Sequence, residues 1–422
     1  MRYGLWRIWG AVLLAGLLLS GCDAGGAGQV EGVDPPSTGG TGPVEEGLPA
    51  AAVSAPAEEP VSWLTEEQVE RCLETVMEDF DAAGVSVAVI QQGEPGACAA
   101  WGWAVKGERE MTPDTKVRAA SLSKVVLGMC AVAMEEDGMV NLDAPLEDYW
   151  GEGVDNPYRE AQPTLRTLLT HTSSLRDLET TRGLERLRGL LRSASAWRDR
   201  EPGDGSSWLY SNFGFCVLGT TLELASGQLL DDYLQARFLE PMGLRASLHA
   251  GRLEAEEVAC LYNAAGGVER GPGAQTGQQV PQEIGLGASY FPGGLTISAA
   301  DLAKLVALLA DDGLYEGRRY LEAASVASME QEAFVVEPEN AASFSQCLAL
   351  RRQEDLMGRE ALYYHTGSSY GVHALLSYDP NAGDGVVVLT TGTDGERDER
   401  GLYTLCARLS QLLYERMEAE EA

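Results

Sequence analysis

The sequence is poor in basic residues. Its 422 residues include 31 lysines and arginines against 64 aspartates and glutamates, which gives a formal net charge of -33. A protein that binds nucleic acid neutralises phosphates with clustered basic side chains, so this balance argues against a nucleic-acid partner. It argues equally against a basic surface that docks on anionic lipid. Lysine is especially scarce, and its four positions are Lys106, Lys116, Lys124 and Lys304.

Histidine is also rare, and its positions do not suggest a metal site. The spacing of His171, His249, His365 and His373 is not typical of zinc ligands. Apart from Cys22, which is considered below, seven cysteines remain, so at least one is unpaired. Most of the seven lie in apolar runs, where a small buried thiol is the simplest interpretation. We therefore expect no metal and no other cofactor.

The apolar run near the N-terminus, Ile8–Leu19, is too short to span the hydrocarbon core of a bilayer. Basic residues precede it and small residues follow it, as in a secretory signal. The sequence Leu19-Ser20-Gly21-Cys22 resembles a bacterial lipobox. This resemblance implies that residues 1–21 are removed and that Cys22 carries a diacylglycerol. The protein would then be exported and anchored through lipid at the outer face of the cytoplasmic membrane. The alternative is an uncleaved anchor or an ordinary signal in which Cys22 is incidental.

Residues 22–62 contain almost no large apolar side chain and are rich in Gly, Pro, Ala, Ser, Thr and Glu. A segment of this composition cannot bury enough surface to offset the entropy lost on ordering. The composition therefore predicts a disordered tether that leads to a folded domain over residues 63–422.

The folded part has strand patterns at both ends and helical patterns between them. A helix is predicted over 63–80, a hairpin over Gly84–Gln91 and Ala97–Val105, and a helix-rich stretch over 121–310. The remaining predicted elements are four strands and a closing helix, at Ser345–Arg351, Ala361–His365, Val372–Tyr378, Gly385–Thr391 and Leu402–Met417. This order favours an α+β unit with one sheet built from both ends of the chain. We expect a sheet lobe over about 63–115 and 290–422, and a helical lobe over about 116–289.

Only one of the four lysines has a serine three residues before it. Ser121 and Lys124 open the run SLSKVVLGMCAVAMEEDG, in which this spacing puts both side chains on one face of a helix. The free N–H groups at a helix start face the serine oxygen. A serine becomes a good nucleophile when a base takes its proton, and apolar surroundings favour the neutral amine that can do so. The pair alone is weak evidence, because a capping serine beside a surface lysine is more common.

A second pattern is Tyr210-Ser211-Asn212, the one place where a tyrosine lies two residues before an asparagine. It occupies a turn that leads into an apolar helix, so both side chains can project into a cleft. There a tyrosine can pass a proton to a leaving group, and an asparagine amide can hold a substrate carbonyl. A core tyrosine beside a helix-capping asparagine is the alternative.

A third pattern, His365-Thr366-Gly367 followed by Ser368, ends a predicted strand. The edge of a strand can offer a backbone N–H to a developing oxyanion. A glycine lets the backbone approach a ligand closely. This stretch is therefore a candidate for one wall of a substrate site.

In this order, the three patterns resemble those of the serine β-lactamase and penicillin-binding-protein superfamily, S-x-x-K, Y-x-N or S-x-N, and K-T-G. The resemblance is closest to the class C β-lactamase-like serine hydrolases, which include esterases, D-aminopeptidases and DD-carboxypeptidases. It covers about residues 63–414. Three framing segments belong to it, namely LRTLLTHTSSL from Leu165, LEPMGL from Leu239 and GGLTISAADLAKL from Gly293. The fold it implies has three layers, α/β/α, with an antiparallel sheet and an inserted all-helical lobe.

The resemblance also implies a role for each residue of the three patterns. Ser121 is the acylated nucleophile, Lys124 its general base and Tyr210 the partner acid/base. Asn212 contacts the substrate amide, and His365, Thr366 and Gly367 line the substrate strand. The backbone N–H groups of Ser121 and Ser368 form the oxyanion hole. The activity implied is hydrolysis of an ester or amide through an acyl-enzyme, on a small molecule or peptide such as a D-amino-acid peptide or a peptidoglycan fragment.

One position departs from the β-lactamase pattern. His365 stands where β-lactamases of this type carry a lysine, whose charge helps to hold the carboxylate of the antibiotic. Histidine has an ordinary pKa near 6.5 and is mostly neutral at pH 7, so carboxylate binding at this position should be weaker. The variant HTG is found in the esterase and peptidase members. We therefore favour an esterase or peptidase over a β-lactamase, which remains an alternative.

Two further interpretations compete with this one. Gly367-Ser368-Ser369-Tyr370-Gly371 matches the G-x-S-x-G elbow of α/β-hydrolases, but the later histidine, His373, follows with no acid in between. The other is a non-catalytic lipoprotein that keeps the fold as a binding or sensing module. In addition, the charged segment from Arg176 to Ser206 is either a lid beside the cleft or a solvated helix and loop.

Overall fold

The structure, a computed structural model, describes residues 63–158 and 160–421. The predicted signal sequence (1–21), the predicted lipid attachment at Cys22 and the predicted tether (22–62) lie outside this part. The strands, in chain order, are β1 (Gly84–Gln91), β2 (Glu94–Val105), β3 (Arg109–Glu110), β4 (Val117–Arg118), β5 (Leu261–Tyr262), β6 (Val268–Arg270), β7 (Thr296–Ile297), β8 (Leu314–Tyr315), β9 (Arg318–Arg319), β10 (Phe334–Val336), β11 (Phe344–Gln346), β12 (Arg351–Leu356), β13 (Arg359–Ser369), β14 (Val372–Asp379) and β15 (Asp384–Thr391).

The α-helices of the described residues fall mostly between the two groups of strands. They are α1 (Glu66–Met77), α2 (Ser123–Glu136), α3 (Leu146–Trp150), α4 (Leu165–Leu169), α5 (Leu184–Leu191), α6 (Asn212–Ser226), α7 (Leu230–Leu234), α8 (Pro272–Thr276), α9 (Ala299–Ala310), α10 (Ala323–Glu330) and α11 (Thr404–Glu421). The predicted first helix is confirmed. It begins with a capping box in which the Thr65 side chain accepts a hydrogen bond from the Gln68 amide.

One antiparallel sheet of nine strands has the order β10-β11-β12-β13-β14-β15-β1-β2-β3. It therefore combines strands from before and after the helix-rich stretch. The two groups of strands meet where β1 pairs with β15, and Gly84 lies opposite Thr391 there. The other six short strands form three separate pairs, β4 with β7, β5 with β6 and β8 with β9.

Both faces of the sheet are covered, and β1 shows this through its alternation. Val85, Val87 and Val89 belong to the core formed with α1 and α11. Ala88 and Ile90 belong to the larger core that includes α2 and α9. Because successive side chains of a strand point to opposite faces, helices must lie on each side. The predicted α+β fold with an antiparallel sheet between helical layers is confirmed.

Two details of the strand prediction are wrong. The hairpin turn is Gln92-Gly93, both with positive φ, so β2 begins at Glu94 and not at Ala97. The predicted strand Ser345–Arg351 is in fact the end of β11, a turn and the start of β12. Ala349 has a φ of 54° in this turn, and the Cys347 amide donates to the Leu350 carbonyl. The turn is buried, so its residues are apolar like those of a strand.

The described residues contain no single helix that is long and apolar enough to cross a membrane. One bent pair of helices, Asn212–Ser226 and Leu230–Leu239, is long and apolar enough when the two are taken together, by length and composition only. Most of the residues in α6 are buried inside the folded domain. The seven cysteines in the described part are free thiols, and six of them are buried, in agreement with their apolar sequence surroundings.

Candidate active site

Ser121 lies in a tight turn immediately before α2. The turn is a 3-10 helix over Ala120–Leu122, and Ala120 is held at a φ of 50°. A positive φ costs a residue other than glycine roughly 1–2 kcal/mol, so the surrounding contacts must impose it. The Ser123 hydroxyl supplies two of them, because it donates to the Ala120 carbonyl at 2.6 Å and accepts from the Leu295 amide at 3.0 Å. The nucleophile turn is thereby fixed to the segment that leads into β7.

Lys124 is fully buried one helical turn after Ser121. Its Nζ lies 3.1 Å from Ser121 Oγ, 2.9 Å from Asn212 Oδ1 and 2.7 Å from the Pro292 carbonyl oxygen. The two carbonyl oxygens can only accept, whereas the serine hydroxyl can donate or accept. A neutral amine, with two N–H bonds and one lone pair, therefore satisfies all three positions when its lone pair faces the hydroxyl. This is the arrangement that a base acting on Ser121 requires.

Tyr210 and Asn212 flank Ser211, which is the N-cap of α6. Asn212 is the first residue of the helix, and its Oδ1 faces Lys124, so its Nδ2 is directed away from the lysine. The ring centroid of Tyr210 lies 5.0 Å from Lys124 Nζ. The second sequence pattern therefore meets the first, and the predicted alternative of a capping asparagine is wrong because Ser211 is the cap.

The turn that carries Tyr210 is held by two residues outside the three patterns. His171 Nδ1 accepts a hydrogen bond from the Ser211 amide at 3.1 Å, and the His171 ring lies 4.5 Å from that of Tyr210. Burial and the nearby Lys124 hold the pKa of His171 well below its usual value, so it stays a neutral acceptor. Asp177 Oδ1 accepts from the Ser211 hydroxyl at 3.2 Å and from the Phe213 amide at 3.0 Å.

The third pattern lies on β13, where that strand passes the nucleophile turn. The pairing with β12 ends at Tyr364 opposite Arg351, and the described residues after Tyr364 pair with β14 alone. A Cβ atom on Gly367 would lie 2.7 Å from the Ala119 carbonyl oxygen and 3.3 Å from the Ser121 amide. Glycine is therefore required for the contact between the strand and Ser121. Thr366 is buried between His365 and Gly367, and Ser368 follows opposite His373.

His365 is buried, and its ring lies 6.3 Å from that of Tyr210. Burial, together with the positive charge of Arg351, holds the pKa of His365 well below its usual value. Its Nδ1 lies 2.7 Å from the Thr366 carbonyl oxygen, which can only accept. A neutral ring with the proton on Nδ1 fits this contact. The histidine therefore supplies no positive charge to the site at neutral pH.

Four residues of the site lie outside the three sequence patterns, namely Asp177, Pro292, Arg351 and His171. Pro292 acts through its backbone carbonyl, for which a sequence carries no signal. Arg351 opens β12, and its guanidinium lies 5.8 Å from the centroid of the Tyr210 ring. His171 accepts the hydrogen bond of the Ser211 amide. The signal for it was the framing segment from Leu165.

The G-x-S-x-G match forms a different structure from a hydrolase elbow. Its last residues, Tyr370 and Gly371, both have positive φ and make the hairpin turn between β13 and β14. A nucleophile elbow instead joins a strand to a helix. The match is a β-hairpin, and Ser369 lies opposite Val372 in it.

The charged segment from Arg176 to Ser206 contains α5 and two 3-10 turns. Its first residues contribute to the site, since Asp177 accepts hydrogen bonds from the Ser211 hydroxyl and the Phe213 amide at the start of α6. It is also joined to residues nearer the C-terminus, because the Gly183 amide donates to the Gly285 carbonyl at 2.8 Å. The part of the segment around Asp177 therefore supports the turn that carries Tyr210.

Comparison with known proteins shows the family to which this chain belongs. The family described as Beta-lactamase matches residues 69–409. The chain belongs to the beta-lactamase family. It is 28% identical over 297 residues to penicillin-binding protein 4 of Amycolatopsis lactamdurans, a match that covers 67% of this chain and 74% of the relative. A D-aminopeptidase of Brucella anthropi is 27% identical over 191 residues, but that match spans only 42% of this chain and 35% of the relative.

A solved structure shows the same beta-lactamase-family fold. It is that of an octameric penicillin-binding protein homologue from Pyrococcus abyssi, with a TM-score of 0.66 and 22% identity, and the match covers 84% of this chain and 77% of that one. The predicted resemblance is therefore confirmed, and the chain belongs to a serine hydrolase superfamily with D-aminopeptidase and β-lactamase homologues.

Proposed function

We propose that this protein is a serine hydrolase that cleaves an ester or amide through an acyl-enzyme on Ser121. The observation that carries the proposal is the 3.1 Å approach of Lys124 Nζ to Ser121 Oγ, with the two other lysine contacts made to carbonyl oxygens. A buried lysine held in this way can take the serine proton. The adjacent edge of β13 supplies a place for the substrate.

In the acylation step, Ser121 Oγ attacks the substrate carbonyl carbon, and its proton passes to Lys124 Nζ. The carbonyl oxygen becomes an oxyanion that accepts hydrogen bonds from the backbone amides of Ser121 and Ser368. The bond from carbon to the leaving group then breaks. Tyr210 passes a proton to the leaving nitrogen or oxygen, and Lys124 restores the proton of Tyr210. The products of this step are the ester of Ser121 and the free amine or alcohol.

In the deacylation step, a water molecule attacks the same carbonyl carbon and loses a proton to the Lys124 and Tyr210 pair. The bond between carbon and Oγ breaks, and that proton returns to Ser121 Oγ. The carboxylic acid is released, so the complete cycle adds one water across the substrate bond. Asn212 Nδ2, which points away from Lys124, is available to hold the acyl amide oxygen.

The neutral state of His365 supports an esterase or peptidase over a β-lactamase. A neutral histidine offers no cation for the carboxylate of a β-lactam. Arg351 is the nearby cation, and it borders a groove of about 520 Å³ that Trp208 and Phe344 also line. The groove adjoins Tyr210 through Arg351, and we assign it to the leaving group of a peptide or ester.

The test of the proposed function is acylation. A fluorophosphonate or a penicillin should add to the purified protein, and intact-mass spectrometry with peptide mapping should place the adduct on Ser121. The Ser121→Ala variant should give no adduct and no ester turnover. If the folded wild-type protein gave neither an adduct nor turnover of any ester or D-amino-acid amide, a non-catalytic binding module would be the better description.

We also propose that the enzyme works at the cell envelope, anchored by lipid on Cys22. The proposal is supported by the lipobox-like sequence and by the composition of 22–62. Mass spectrometry of the mature N-terminus in a bacterial host should find a diacylglyceryl group on Cys22. Cys22→Ala should release the protein from the membrane fraction, and membrane retention of that variant would contradict the proposal.

A further inference from the structure

A cavity of about 300 Å³ is lined by Arg118, which comes two residues before the nucleophile turn. Its volume is in the range of small-molecule sites. Three elements meet there, namely β4 through Arg118, β6 through Arg270 and the β13–β14 turn through Tyr370. None of its ten lining residues, all of them in the described ranges, is acidic. This is unexpected in a chain with twice as many acidic as basic residues.

The two arginines of this cavity carry uncompensated charge. Both guanidinium groups approach the ring of Tyr370, at 5.3 Å for Arg118 and 4.6 Å for Arg270. Among residues 63–158 and 160–421, neither forms an ion pair within 4.0 Å. Arg118 Nε is shielded from solvent and has no hydrogen-bond partner in this part of the chain. Burial and the like charge of Arg270 lower the pKa of Arg118. An anion in the cavity would pair with both guanidinium groups and would give Arg118 Nε a hydrogen-bond acceptor.

The cavity lies along the path that a substrate of Ser121 would follow. Arg118 precedes Ser121 by three residues, and Tyr370 follows Ser368 by two. Two residues of extended chain reach about 7 Å at most, so Tyr370 stays close to the proposed oxyanion hole. Tyr210, which would donate a proton to the leaving group, lies instead toward His365, at the other end of the same part of β13. The cavity is therefore on the acyl side of the bond to be cleaved.

We propose that this cavity is a subsite for a carboxylate carried by the acyl part of the substrate. Arg118 and Arg270 bind the carboxylate, and Tyr370 lines the same cavity. The preferred substrate is then an ester or amide whose acyl group ends in a second, anionic group, as in a dicarboxylic half-ester or a peptide with an acidic side chain. This inference rests on the proposed function, since it names the substrate class of the same site.

The test compares two esters that have the same leaving group, p-nitrophenol, but different acyl chains. Mono-p-nitrophenyl glutarate has a carboxylate at the end of its acyl chain, and p-nitrophenyl pentanoate has a methyl group there. Charge-assisted hydrogen bonds of this kind favour the glutarate by about 10- to 100-fold in kcat/KM. Arg270→Gln, at an exposed position, should lower kcat/KM for the glutarate far more than kcat/KM for the pentanoate, because neutral acyl groups do not use the charge. Arg118→Gln should act in the same direction.

Arg318→Gln is the matched control. Arg318 is an exposed arginine whose guanidinium lies 4.8 Å from the ring of Tyr320, so it reproduces the arginine–tyrosine contact away from the cavity. This variant should keep the full glutarate preference. If the wild-type protein hydrolysed pentanoate but showed no glutarate preference, the subsite would be rejected and the proposed function would stand.

A binding measurement separates the two proposals when neither ester is cleaved. Methyl hydrogen glutarate should bind Ser121→Ala, as followed by calorimetry, and binding should weaken at least about tenfold in Ser121→Ala/Arg270→Gln. Ester turnover without this loss of binding would overturn the subsite alone. Binding with this loss, but without an adduct on Ser121, would overturn the proposed function alone. Equal affinity of the two variants rejects the subsite in either case.

Discussion

The Nδ1 atom of His171 accepts a hydrogen bond of 3.1 Å from the backbone amide of Ser211, which lies between Tyr210 and Asn212. One contact thus fixes the turn that carries both side chains facing Lys124. Since an amide can only donate, the imidazole must remain unprotonated at Nδ1 for the turn to hold. The low pKa that burial imposes on His171 meets this condition.

His171 should therefore act as a positioning residue. His171→Ala should lower kcat for p-nitrophenyl esters by about 10- to 100-fold with little change in KM, because the loss falls on proton transfer by Tyr210. His171→Asn keeps a side-chain oxygen that can accept from Ser211 and should recover much of kcat. Urea unfolding of both variants checks the fold. Equal kcat in the alanine and asparagine variants, both folded, would contradict the positioning role.

Gly367→Ala should separate the strand from the nucleophile. The added Cβ would lie 2.7 Å from the Ala119 carbonyl oxygen, a backbone atom that cannot rotate away. We expect a loss of roughly 100-fold in kcat/KM, since misplacement of a reacting group by about 1 Å costs that much. The control is Gly189→Ala, where nothing lies within 4 Å of the new Cβ. That variant should keep its activity. Full activity of Gly367→Ala would show that β13 does not contact the substrate at this position.

The neutral state of His365 predicts the ranking of two substrate types. Esters of p-nitrophenol with short acids should turn over faster than nitrocefin, because the site lacks a cation at this position. His365→Lys alone should not reverse the order, since the new ammonium would lie near the guanidinium of Arg351. His365→Lys/Arg351→Gln removes that guanidinium charge and should hydrolyse nitrocefin faster than His365→Lys. A wild-type preference for nitrocefin would falsify this interpretation of His365.

The stability of the fold should depend on the titration of Glu330. Burial raises the pKa of this carboxyl from 4.5 to about 7, and its Oε1 accepts a hydrogen bond of 3.0 Å from the Tyr378 hydroxyl. The folded state thus binds the proton more tightly than the unfolded state. The corresponding stabilisation is complete below pH 4.5 and is lost as the pH rises through about 7.

Glu330→Gln keeps the acceptor for Tyr378 but cannot titrate. Its free energy of unfolding, relative to wild type, should therefore rise between pH 5 and pH 8, by at most about 3 kcal/mol. Urea unfolding across this range provides the measurement. Other buried acids titrate in both proteins, so their contributions cancel in the difference between the two free energies of unfolding. A constant difference for Glu330→Gln would exclude the raised pKa.

The sequence predicts the fold well where the patterns are periodic. The first helix and the strands β14 and β15 lie close to where they were expected, because each couples a local signal to a long apolar pattern. The prediction failed at Ala349, where a buried turn carries no glycine, proline or asparagine. Such a turn is held by tertiary contacts, and its apolar residues have the composition of a strand.

The site was predictable to the extent that it depends on side chains with fixed spacing. Ser121 and Lys124 are three residues apart, and the tyrosine and the glycine belong to short patterns. The contact of Lys124 with Pro292 uses a backbone carbonyl, and any residue could supply it. Arg351 is one of many arginines, and only the pairing of β12 with β13 brings it beside His365. Long-range placement of this kind has no local signature.

The pairing of β1 with β15 also bears on how the chain folds. These two neighbouring strands lie near opposite ends of the folded domain's sequence, with Gly84 opposite Thr391 and the whole helical lobe between them in the chain. The sheet cannot close before almost all of the polypeptide has emerged, so its nucleation must wait for the last strand. Folds with such distant partners fold slowly, and their unfinished apolar edges are exposed to aggregation in the meantime. A truncation before β15 should therefore yield an aggregating fragment and not a smaller domain.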